Sequence, residues 1–252
     1  MMGDRFITGL KINWDGISRD SYLRRIPALQ DPEELWFDES VTFFVGENGA
    51  GKSTLLEAAA VAYGFNPEGG SRNFSFSTRD SHSELCRSIT LYKGWKMPSD
   101  DFFLRAESFY NVATKVDEYD DGTDFLAKNY GGRSLHSQSH GESFLALIQN
   151  HFRPRGLYLL DEPEAALSPQ RQLSLLLRVF ELSRQGSQFI IATHSPILLG
   201  LPGAAILSFD GGRIREIDYE ETDSYRTTEL FINHRGSMLK QLLDYDLEQE
   251  ER

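Results

Sequence analysis

Ser40-Val41-Thr42-Phe43-Phe44-Val45-Gly46-Glu47-Asn48-Gly49-Ala50-Gly51-Lys52-Ser53-Thr54-Leu55-Leu56 is the stretch that decides the fold. Residues 40–45 are β-branched and aromatic, a buried strand by composition. Gly46 to Ser53 fill every required position of the pattern G-x-x-x-x-G-K-[ST]. The residues that follow, through Ala60, are rich in Leu and Ala and predict a helix. Strand, glycine loop and helix in this order make a cradle for phosphate. The glycines let backbone N–H groups turn inward, and the helix N-terminus adds its positive end. Lys52 is expected to reach the β- and γ-phosphates of a nucleotide, and the Ser53 hydroxyl to sit on Mg²⁺.

A second signal lies downstream. Gly156-Leu157-Tyr158-Leu159-Leu160 reads as a buried strand that ends at Asp161-Glu162. A carboxylate at a strand end beside a phosphate loop is placed to hold Mg²⁺, and the next one can polarise a water for attack on the γ-phosphate. A third strand, Gln188 to Thr193, ends at His194, which can donate a hydrogen bond to the same phosphate. Between the first two signals, Ser137-Gln138-Ser139-His140-Gly141-Glu142-Ser143 precedes a helix expected from Phe144 to His151. Small residues and a Gly at a helix start suit an anion, or equally an ordinary helix cap.

The remaining chain is read as alternating strands and helices. Phe6 to Ile12, Ser88 to Lys93 and Asp101 to Glu107 are expected strands, and 13–39 a connection in which Trp14 and Tyr22 are candidates to stack on adenine, with core packing the more ordinary role for either. Gly64 to Arg79 reads as a loop and Val112 to Lys128 as helical. A helix over Pro169 to Gln185 carries Leu173, Leu176, Leu177 and Phe180 on one face. Asp210-Gly211-Gly212 marks a hairpin between Ala205–Phe209 and Arg213–Ile217. Thr227 to Leu243 closes with a helix or two, and the acidic tail from Asp244 is expected to fray. The pattern predicts an α/β fold with a largely parallel sheet.

Composition sets the outer bounds. The chain has 252 residues, 40% apolar and 25% charged, and a net charge of -12. These are the proportions of a soluble globular protein with ample length for a core. The acidic balance argues against an extended nucleic-acid surface. The one cysteine, Cys86, forms no internal disulfide and fits a reducing, cytoplasmic setting as a small buried hydrophobe. No export signal or membrane span is expected: Phe189 to Leu207 is interrupted by His194, Pro196 and Pro202.

Taken in order, these signals resemble the ATP-binding-cassette ATPases over nearly the whole chain. Gly46 to Ser53 is similar to the Walker A loop and Leu157 to Glu162 to Walker B. Ser139-His140-Gly141-Glu142 stands where the family has its Leu-Ser-Gly-Gly-Gln signature. Pro163 to Ser168 is similar to the D-loop and His194 to the switch histidine. The resemblance implies one P-loop domain over 1–252, with a parallel core, an antiparallel β subdomain and a helical signature lobe at about 64–145. It implies ATP contacts at Gly46, Asn48, Gly49, Gly51, Lys52, Ser53 and Thr54, with Mg²⁺ at Ser53 and Asp161. Glu162 is then the general base and His194 the phosphate-orienting residue. Two copies would pair head to tail on ATP, each offering Ser139, Gly141 and Glu142 to the nucleotide of the other.

The departures are specific. His140 replaces the first signature Gly, Glu142 replaces Gln, and Gln138 replaces an apolar residue. No Gln lies between Ser53 and Ser137, so the family's Mg²⁺-binding Q-loop glutamine has no counterpart; Glu107 is the candidate substitute ligand. The signature variant and the Asp-Glu-Pro-Glu…Ser-Pro run resemble stand-alone AAA-type ATPases of the cassette class, near the chromosome-maintenance and DNA-repair branch. The gap between Ser53 and Ser139 has no room for that branch's long coiled-coil arms. The expectation is a soluble Mg²⁺-dependent ATPase switch that forms a homodimer with ATP and acts on an unidentified effector, in DNA repair or defence. DNA is a partner the charge does not indicate. An ATP-binding transporter subunit with a membrane partner is the alternative, and a non-hydrolysing nucleotide-binding module a third class.

Overall fold

A computed structural model describes residues 5–30, 34–72, 83–105 and 140–250. Numbered among these residues, the elements begin with β1 (Ile7–Ile12), β2 (Glu34–Trp36), β3 (Val41–Val45) and α1 (Lys52–Tyr63). β4 (Ile89–Lys93) and β5 (Asp100–Arg105) follow, then α2 (His140–Asn150), β6 (Gly156–Asp161) and α3 (Pro169–Arg184). The chain closes with β7 (Gln188–Ala192), α4 (Pro196–Leu199), β8 (Ala205–Ser208), β9 (Arg215–Glu216) and α5 (Asp223–Glu250). Among the described residues of 13–39, three short 3₁₀ turns precede β2.

β3 sits inside a six-stranded sheet of order β5-β6-β7-β3-β8-β9, parallel except for β9. Every residue of β3 is buried, as a parallel strand covered on both faces must be. Alternate side chains therefore feed two cores. Phe43, Phe102, Tyr158, Leu160, Phe189 and Ile191 pack toward α2, α3 and α4. Phe44, Phe103, Leu157, Leu159 and Ile190 pack toward α1 and a second sheet, the antiparallel β2-β1-β4. The predicted mainly parallel α/β architecture with an antiparallel β subdomain is what is found. Of the range 64–145, residues 73–82 and 106–139 lie outside the described residues, including the helix expected at 112–128; β4 and β5 within it join the two sheets.

Gln188 fastens the two sheets. Its side-chain oxygen accepts from the N–H groups of Phe6 and Ile7, each at 2.9 Å, and its amide donates to the Ile7 carbonyl at 2.7 Å. The residue is 1% exposed, and these three side-chain hydrogen bonds all go to β1 and the residue before it.

Three expectations change in detail. α2 starts at His140, so the signature-like residues 140–142 form its first turn instead of preceding it. α3 buries Leu175, Val179 and Leu182, while Leu173, Leu177 and Phe180 face solvent at 52%, 59% and 38% exposure. The two stripes share the same helical spacing on opposite sides of α3, so the apolar pattern alone does not say which meets the sheet. α5 runs on through Glu250 where fraying was expected, with a non-helical backbone at His234 (φ −128°, ψ 29°). Among the described residues, no helix is long and apolar enough to cross a membrane.

Candidate active site

The parallel order brings three strand ends together. Phe44 pairs with Ala192, and Ala192 with Asp161, so the loops leaving β3, β6 and β7 are neighbours. Ligands of open α/β sheets gather at this edge.

The loop after β3 turns through Gly46, Gly49 and Gly51, all with positive φ. Gly51 ends the loop in a left-handed conformation, and α1 begins at Lys52 with its N-terminal N–H groups facing the cradle. Thr54 lies in the first turn. Gly46 (φ 139°) has a second reason to lack a side chain: a Cβ there would lie 2.9 Å from Asp210 Oδ1. That oxygen accepts the Glu47 N–H at 2.9 Å. Asp210 thus holds the loop from the turn after β8. Its hairpin is found as expected, Leu207 pairing with Glu216 and Ser208 with Arg215; its hold on the loop was not foreseen. The two are 163 residues apart, and no local signal links them.

Lys52 is buried at 4% exposure. Its ammonium donates to the carbonyls of Gly46 at 2.6 Å and Glu47 at 2.9 Å. Burial pulls its pKa below the ordinary value, and the charges of Glu162, Asp210, Asp161 and Glu164 push back. The Ser53 hydroxyl donates to Asp161 Oδ1 at 2.8 Å. A hydroxyl and a carboxylate side by side are hard oxygen donors, the set that Mg²⁺ takes from a protein when phosphates and waters supply the rest. Among the described residues no group of three or more His, Cys, Asp and Glu is built to hold a metal unaided.

Glu162 takes a left-handed backbone (φ 48°, ψ 52°), unusual outside glycine. Its N–H donates to the Ala192 carbonyl at 2.9 Å and its carbonyl accepts from Ala165 N–H at 3.1 Å. The turn ends the strand and leaves the carboxylate part-exposed, 4.0 Å from His194 Nε2. Glu47, Asn48, Glu162 and His194 line one open depression of about 620 Å³. A second cavity of about 570 Å³ shares Gly46, Glu47 and His194 and reaches Arg215, Thr222 and Arg226.

The signature-like residues lie apart from this cluster. Gly141 packs so closely that a Cβ there would come within 2.6 Å of the Ala166 carbonyl. Glu142 pairs with Arg171 of α3 at 3.5 Å, so the carboxylate standing in place of Gln has a cation beside it. Ser139 and Glu107 lie outside the described residues. Arg105, two residues before Glu107, is opposite Asp161 in the sheet and bridges to Glu57 of α1 at 2.9 Å. Of the stacking candidates, half-buried Trp14 carries the Arg24 guanidinium over its ring at 5.4 Å, and exposed Tyr22 donates to Ser83 Oγ at 3.2 Å.

Two family models match parts of the chain. One, described as "AAA domain, putative AbiEii toxin, Type IV TA system", covers residues 93–200, and one described as "AAA domain" covers 22–123. No curated protein matches. Among solved structures, an SMC head domain from Thermotoga maritima aligns at 16% identity, over 84% of this chain and 98% of that one, with a TM-score of 0.42. The ADP conformation of an ATP-binding cassette of an ABC transporter aligns at 17% identity, over 90% and 98%, with a TM-score of 0.49. An Smc head domain with a coiled coil and joint, derived from Pyrococcus yayanosii, aligns at 24% identity over 38% of this chain and spans 20% of that one, with a TM-score of 0.32.

Proposed function

We propose that this chain is an AAA-type ATPase of the ATP-binding-cassette class, and that it hydrolyses ATP as a switch that works as a head-to-tail homodimer. The observation that carries the reading is the convergence of Glu47, Asn48, Glu162 and His194 on one depression beside Lys52. We read 1–252 as one such domain.

The loop N–H groups from Gly46 to Ser53 and the Lys52 ammonium bind the β- and γ-phosphates, with Asn48 and Thr54 at the edges of the cradle. Ser53 and Asp161 hold Mg²⁺, which when bound offsets negative charge on the phosphate oxygens; Glu107 is a further candidate ligand. Glu162 takes a proton from a water that attacks the γ-phosphorus in line, while the bond to the bridging oxygen breaks and ADP leaves. His194 donates a hydrogen bond to a γ-phosphate oxygen. Ser139, Gly141 and Glu142 of a second copy complete the site. A defence role is supported by the description of the matched model as a putative toxin of a toxin–antitoxin system; the effector is a protein still to be found, and DNA repair is the neighbouring role.

The test is Glu162→Gln in a phosphate-release assay with ATP and Mg²⁺. The expected result is near wild-type ATP binding with turnover lowered at least about 100-fold. Full turnover by this variant would overturn the role of Glu162. Copurification with a membrane protein would favour the transporter reading instead.

A further inference from the structure

Glu164 has no role in the chemistry above, yet its side chain ties two parts of the site together. It lies in the 3₁₀ turn Pro163–Ala166, two residues after Glu162. Its Oε1 accepts the His194 backbone N–H at 2.6 Å. Its Oε2 is buried with no hydrogen-bond partner among the described residues. A buried carboxylate oxygen left unpaired is unfavourable, and an ordinary surface turn has no need of one.

A second link runs beside the first. Ser195 Oγ donates to Gln172 Oε1 at 2.6 Å, and Gln172 Nε2 donates to the Leu167 carbonyl at 3.0 Å. The residues after β7 are therefore fastened at two adjacent positions to the turn after β6. Ser195 also caps α4 by accepting the Leu198 N–H at 3.2 Å. The same turn touches the start of α2 on its other side, where the Ala166 carbonyl faces Gly141.

We infer that Glu164 is a positioning residue that clamps the His194 peptide to the Glu162 turn and so sets the spacing of the general base and the phosphate-orienting histidine. The inference rests on the ATPase reading for its effect on turnover, but the clamp itself is a matter of one hydrogen bond. Without it the two loops are still joined through Ser195, Gln172 and the Glu162 N–H, but the His194 peptide loses its direct hold on the Glu162 turn. With it, any shift of the Pro163–Ala166 turn against α2 reaches His194 directly. A second copy docking at the signature-like residues would press on that turn, so the clamp gives dimer formation a physical route to the phosphate. The Glu164 charge also helps keep Lys52 protonated against its burial.

The experiment compares wild type, Glu164→Ala and Glu164→Gln in ATP turnover and in hydrogen exchange of the His194 amide. Glu164→Ala is expected to lower kcat by about 10- to 100-fold, because loss of positioning by an ångström has that effect. The KM for ATP should stay within about three-fold, since the phosphate loop is not touched. The His194 amide should exchange faster than in wild type. Glu164→Gln, whose side-chain oxygen still accepts, should recover most of the turnover and the protection. Unchanged His194 exchange in the Ala variant would overturn the clamp. So would a Gln variant as impaired as Ala, which would mean that charge, not the acceptor, matters. A wild type that binds ATP without turning it over would instead overturn the ATPase reading, and the exchange comparison would still decide the clamp.

Discussion

A side chain at Gly46 would have to share its space with a carboxylate. The backbone there sits at φ 139° and the nearest Asp210 oxygen is 2.9 Å from the Cβ position. Gly46→Ala must therefore push Asp210 off the Glu47 N–H, strain the backbone, or both. We expect a stability loss of about 1–3 kcal/mol in thermal melts and ATP binding weakened by at least about 10-fold in calorimetric titration. An Ala variant with wild-type binding would show that Asp210 does not shape the loop. Lys52, Ser53, Asp161 and Glu162 could all be picked out beforehand because each is tied to a local pattern: loop before helix, or strand end. Asp210 and Glu164 could not, since their partners Glu47 and His194 are reached only through the folded sheet.

α3 shows where pattern reading loses its grip on an element. Leu173, Leu177 and Phe180 form as good a stripe as Leu175, Val179 and Leu182, and only the second is buried. Leu175→Ala is expected to destabilise by about 2–5 kcal/mol, and Leu177→Ala by under about 0.5 kcal/mol. Equal losses in denaturant unfolding would contradict this orientation. The strands were legible because a parallel sheet covered on both faces needs near-continuous apolar runs, which β6 has from Leu157 to Leu160 and β7 from Phe189 to Ala192, while β3 is interrupted by Thr42 alone. β6 also carries one polar exception. The Tyr158 hydroxyl donates to Asp100 Oδ2 at 2.7 Å and accepts the Arg153 N–H at 2.6 Å. Burial, with the Asp100 charge, pushes this phenol far above its usual value of 10.0. The unfolded chain releases that proton above about pH 10 and the folded chain keeps it. Tyr158 therefore adds to stability below pH 10, and the contribution falls as pH rises beyond it. The further loss of stability as pH rises above about 10 should be smaller in Tyr158→Phe, and a spectrophotometric titration should show Tyr158 ionising only on unfolding.

For the molecule as a whole, the proposed pairing of two copies places Ser139 and Glu162 in one composite site. Ser139→Arg is expected to abolish the ATP-dependent increase in sedimentation that Glu162→Gln should accumulate. Dimer formation by both variants alike would remove the signature-like residues from the interface. The α5 helix adds a second kind of surface, with Leu230, Ile232, Leu242 and Leu243 exposed, as Leu173, Leu177 and Phe180 are on α3.

Gln188 puts a clock into the making of this protein. The N–H groups it receives belong to residues 182 and 181 positions earlier. During synthesis at about 5–20 residues per second, β1 waits roughly 9–36 s for the residue that fastens it. The phosphate loop is no better off, because β3 is flanked by β7 and β8 and both arrive late. The nucleotide cradle leaves the ribosome well before the strands that flank β3 and close around it. Nascent chains halted before Gln188 should therefore stay open to protease and to binding partners that the finished fold excludes.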